Sequence, residues 1–79
     1  MADFWGLREG DSVGIVRNEK PFPTENFVGI VSLAHTDIVR VDFGDGLFVK
    51  WFRRSDGLLP SGRNIYRLVP LTKLAKMVT

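Results

Sequence analysis

The chain has 79 residues, 44% hydrophobic and 25% charged, which makes one globular domain with a small, tightly packed core and excludes a disordered chain. It has no cysteine, which excludes a disulfide or a Cys-based zinc site, and no apolar run approaches a bilayer span. The net charge of +2 is unevenly spread: from Lys50 onward seven basic residues accompany one acid, so that stretch carries +6 and the stretch before it −4.

Residues 1–8 read as a leader whose Phe4 and Trp5 cover one end of the core. They lack the basic-then-apolar layout of a signal peptide, so a soluble cytoplasmic protein without a membrane segment is expected. Glu9-Gly10-Asp11 is a turn, and Asp11 to Arg17 is the first strand. Asn18 to Asn26 contains Pro21 and Pro23, shows no periodicity and forms a loop. Phe27 to Leu33 is rich in β-branched residues and is the second strand, followed by a turn at Ala34-His35-Thr36-Asp37. Ile38 to Phe43 and Leu47 to Arg53 are the third and fourth strands, joined at Gly44-Asp45-Gly46. Ser55 to Asn64, with Gly57, Pro60 and Gly62, is a second long loop, and Ile65 to Val69 is a short fifth strand closed by Pro70. Thr72 caps a short C-terminal helical turn over 72–79, in which Leu71, Leu74, Ala75 and Val78 share a face. The pattern predicts an all-β fold, a five-stranded small barrel over residues 9–71, because closing the sheet removes edges that so short a chain cannot otherwise cover.

The central hairpin has two possible registers. A two-residue Asp45-Gly46 turn sets Val41 against Lys50 and Val39 against Phe52, which places a lysine among apolar side chains. A three-residue turn with Gly46 left-handed pairs Phe43 with Leu47, Val41 with Val49 and Val39 with Trp51. The second register makes one face wholly apolar and is the expected one. The opposite face then carries Ile38, Arg40, Asp42, Phe48, Lys50 and Phe52, with Arg53 and Arg54 following at the strand end.

The pieces Glu9-Gly10-Asp11-Ser12-Val13, Gly29-Ile30-Val31 and Val39-Arg40-Val41-Asp42-Phe43-Gly44-Asp45-Gly46 resemble those of SH3-like small barrels of the Tudor and KOW type, over roughly residues 9 to 70. The resemblance implies a barrel that binds through its surface. Tudor domains that read methylated side chains use an aromatic cage, and the sequence does not assemble four rings into one. The run Trp51 to Gly57, followed by Tyr66-Arg67-Leu68-Val69-Pro70, is also loosely similar to small bacteriophage proteins.

No catalytic chemistry is legible. His35 is the only histidine and lies in a turn, no Ser nucleophile has a matching base, and one histidine with scattered acids makes no zinc site. Gly44-Asp45-Gly46 does not precede a helix with the lysine of a phosphate loop. A non-catalytic binding module without cofactor or metal is expected. Its first candidate partner is nucleic acid, with Phe48 and Phe52 stacking on bases and Arg40, Lys50, Arg53, Arg54, Arg63 and Arg67 meeting phosphates. The alternative is a protein partner, as for a phage-encoded factor that binds or inhibits a host protein, acting as a monomer or homodimer.

Overall fold

The computed structural model describes residues 4–71. It is all-β: five antiparallel strands, β1 (Ser12–Arg17), β2 (Glu25–Ala34), β3 (Ile38–Phe43), β4 (Phe48–Arg53) and β5 (Tyr66–Val69), curl into a half-barrel preceded by a 3-10 turn at Phe4–Gly6. The sheet order β4-β3-β2-β1-β5 is a meander whose last strand returns to pair with the first, consistent with an SH3-like small barrel. The expected helical turn over 72–79 lies outside the described residues.

Alternation builds the core. Val13 and Ile15 of β1, Val31 of β2, Val39, Val41 and Phe43 of β3, Phe52 of β4 and Leu68 of β5 point inward together with Phe4. Gly29 lets the layers meet: a Cβ there would lie 2.6 Å from Val41 Cγ1 and 2.7 Å from Ile15 Cδ1. In β2 the register slips between Val31 and Leu33, so Ser32 forms a bulge that bends the strand. The extra residue lets both Val31 and Ala34 face the core although they are three apart.

The barrel seam is closed after β4 by a turn rather than by a strand pair. The Arg53 N–H donates to the Leu58 carbonyl (2.7 Å), the Gly57 N–H donates to the Arg53 carbonyl (2.9 Å) and the Leu68 N–H donates to the Gly57 carbonyl (2.8 Å). Leu58 also bridges to Arg67, so residues 57–58 stitch the end of β4 to β5. Gly57 makes this possible with φ of 75° and no Cβ to strike Phe4 Cε2, which would be 2.8 Å away.

The hairpin register differs from the expected one. Phe43 pairs with Phe48, Val41 with Lys50 and Val39 with Phe52. Asp45 and Gly46 both have positive φ, 58° and 82°, and Leu47 N–H donates back to Gly44 O (3.1 Å), a tight turn nested in the four-residue loop 44–47 that joins Phe43 to Phe48 and gives the same pairing as a two-residue turn. The charge cost that argued against this register is avoided. Lys50 belongs to an edge strand, stays partly exposed and lays its ammonium 5.4 Å from the centre of the Tyr66 ring.

Candidate interaction surface

The one-residue slip turns β4 over. Phe52 is fully buried in the core, and Phe48 stacks on Phe43 with centroids 5.4 Å apart. Neither ring joins an exposed aromatic face, which corrects the expected stacking surface. Phe27, Phe43, Phe48 and Tyr66 do come together, a grouping that the sequence reading did not find. Their centroid separations of 5.3 to 6.2 Å are those of rings packed on one another, a satellite of the core rather than a cage.

The cations expected to meet phosphates do not share one face: Arg54 is buried and Arg40 and Lys50 lie on opposite faces of the sheet, while Arg53, Arg63 and Arg67 border the turn around Leu58 and Leu59. Arg54 is 6% exposed, and its guanidinium donates to three backbone carbonyls: Nε to His35 (2.7 Å) and Nη1 to Phe4 and Trp5 (2.8 Å each). Its own N–H donates to the Asp37 carbonyl at 2.9 Å, so Arg54 clamps the N-terminal turn and the β2–β3 turn to the end of β4. Arg40 lies on the outer face, donates from Nε to Ser32 Oγ (2.9 Å) and holds its guanidinium 6.0 Å from the centre of the Trp51 ring. Lys50 points inward at the edge, as described. Arg53 is paired with Asp56. Arg63 and Arg67 are exposed, and the Leu58 stitch places Arg53 and Arg67 on either side of Leu58.

Asp56 is held below the usual carboxylate range, first by the hydrogen bonds from Arg53 and then by the Leu58 N–H on its Oδ1 (3.0 Å). A carboxyl with a lowered folded-state pKa contributes stability that is present above its unfolded pKa and lost as pH falls through the folded one. The pair is solvent-exposed, so its contribution is small. Asp56→Asn is expected to lower the urea midpoint slightly at pH 7, with the difference from wild type shrinking as pH falls through and below the carboxylate range. An equal difference at both ends of that titration would contradict this role.

What the fold does gather on one side is apolar. On the outer face of β2 and β4, Val28 is 59% exposed, Ile30 47% and Val49 51%. Ile30 and Val49 flank Asp42 across the sheet in one row, and Val28 lies two residues before Ile30 on the same side. Leu47 in the adjoining turn is 82% exposed. Asp42 accepts a hydrogen bond from Ser32 Oγ (3.0 Å), which ties the polar centre of this row back to the sheet. Beyond it, Trp51 stacks on His35 with centroids 5.5 Å apart and carries Arg40 over its ring.

Sequence reading missed Val28, Ile30 and Val49 as surface residues because β-branched strand residues read as core. The signal for Val49 was present in Asp45-Gly46, whose tolerance of positive φ favours a tight turn centred on that pair and so the register that turns Val49 outward.

This is an all-β domain of small-barrel type with an apolar outer sheet face. Compared with protein families, curated proteins and solved structures, the chain matches none. Among the described residues no helix is long and apolar enough to cross a membrane.

Proposed function

We propose that this domain is a non-catalytic binding module that docks another protein on the outer face of β2, β3 and β4. The observation that carries this reading is the group Val28, Ile30 and Val49, each about half exposed or more on a rigid sheet. Singly exposed apolar residues are ordinary, but three on one sheet face beside a tryptophan and an arginine have the make-up of an interface centre. The Ser32, Arg40 and Asp42 seam supplies directional hydrogen-bonding groups within it. A factor of bacteriophage type acting on a host protein fits this reading. The nucleic-acid alternative keeps the exposed Arg63 and Arg67 but loses the stacking rings that made it attractive.

Affinity capture from bacterial lysate, before and after nuclease treatment, separates the two. The expected result is a protein partner retained after nuclease and weakened roughly tenfold or more by Ile30→Lys with Val49→Lys, since each change removes on the order of 1 kcal/mol of apolar contact. Both positions are exposed, so the thermal midpoint of that variant should stay near wild type. Capture that disappears with nuclease, or that survives the double variant but not Arg63→Glu with Arg67→Glu, would overturn the proposal.

A further inference from the structure

We infer that the free edge of β4 accepts an extended segment of the partner as an added strand, with an acidic residue facing Lys50 between two apolar ones. This deepens the protein-docking reading and rests on it.

Three observations converge on that edge. First, β4 is the terminal strand of the sheet and pairs only with β3. Among the described residues, the backbone bonds on its outer side are those of Arg53 with Leu58 and Gly57. Backbone groups alternate in direction along a strand, so the N–H and C=O of Trp51 and Val49 point to the same side as those of Arg53. Those groups have no backbone partner among the described residues. Unpaired edge groups are a template for another extended chain.

Second, the side chains around the edge differ by face. Val49 and Trp51 lie outward and adjoin the apolar surface already described. Lys50 lies inward, and no acidic side chain pairs with it among the described residues. An added strand alternates in the same way, so residues facing Val49 and Trp51 should be apolar and the one facing Lys50 acidic.

Third, Lys50 selects against the obvious competitor. An inward charge on an edge strand is a known guard against indiscriminate pairing. A second copy joined antiparallel and centred on this strand would set Lys50 against Lys50, which like-charge repulsion disfavours. The edge therefore suits a chain that brings a carboxylate.

The probes are blocked, water-soluble heptapeptides that alternate valine with either glutamate or lysine. Binding is read by tryptophan fluorescence and by amide hydrogen exchange at Val49 and Trp51. The expected result is slowed exchange at those two amides and a preference for the glutamate peptide of about fivefold or more. Lys50→Met should erase the preference, and Lys50→Glu should reverse it. If the Glu variant fails to fold, the Met variant still decides the matter. Unchanged exchange at saturating peptide, or equal affinity for the two peptides, overturns the inference. Ile30→Lys, on β2, separates this from the wider reading: it should leave peptide binding at the edge intact while weakening the intact partner. Loss of peptide binding in that variant, with the edge amides unprotected, would leave the face as the docking site and sink the added strand.

Discussion

Arg54→Met is expected to destabilise the domain by roughly 3 kcal/mol, because it removes a buried guanidinium and strands the carbonyls that it satisfies. Each buried acceptor left without a donor costs about 1–3 kcal/mol, and relaxation that lets water in recovers part of it. A small domain has total stability on the order of 5–15 kcal/mol, so this is a large share. Arg54→Lys should fall between wild type and Met: the ammonium keeps the charge but lacks the planar fork that reaches the carbonyls on both sides. Urea unfolding measures the loss. Hydrogen exchange should place its first effects at the 3-10 turn and the β2–β3 turn, the two segments that Arg54 ties to β4. A Met variant within about 0.5 kcal/mol of wild type would show that the clamp holds nothing.

Phe52→Ala is expected to cost about 3–5 kcal/mol, the range for a buried phenylalanine that leaves a cavity. Val49→Ala, three residues away on the other face, should cost little, since Val49 is 51% exposed and Phe52 fully buried. The contrast tests the hairpin register. Under the alternative pairing Val49 would face Val41 inside and Phe52 would stand in solvent, so the two costs would exchange. Denaturant midpoints for the two variants decide between the registers, and a Val49→Ala loss that exceeds that of Phe52→Ala would reject the one described.

Much of the architecture is legible without coordinates. Ile38 to Phe43 alternates cleanly, and the structure makes it β3 with the same bounds. The Pro21-Pro23 loop and the glycine-rich stretch after Arg54 separate strands as their turn chemistry predicts. β2 is longer than read, Glu25–Ala34, because its ends are held by partners: Glu25 opposite Arg17 and Ala34 opposite Val39. The surface was harder to read. Whether Val49 or Phe52 faces water depends on one residue of turn length, and the lysine that seemed to forbid the correct choice finds an outlet only because β4 is an edge. Likewise, Arg53-Arg54 reads as a basic pair at a strand end, yet one member pairs locally with Asp56 and the other is buried.

The amino-acid sequence alone determined the strands, their turns and the all-β class, because alternation, β-branching and glycine or proline punctuation act over a few neighbouring residues. Tertiary structure alone decided which face of β4 is core, where the seam closes and what becomes of Arg54. Those outcomes turn on contacts between distant segments: the carbonyls that hold Arg54 lie 19, 49 and 50 residues away along the chain. No local pattern encodes a partner at that separation, and only the folded sheet brings it within hydrogen-bonding reach.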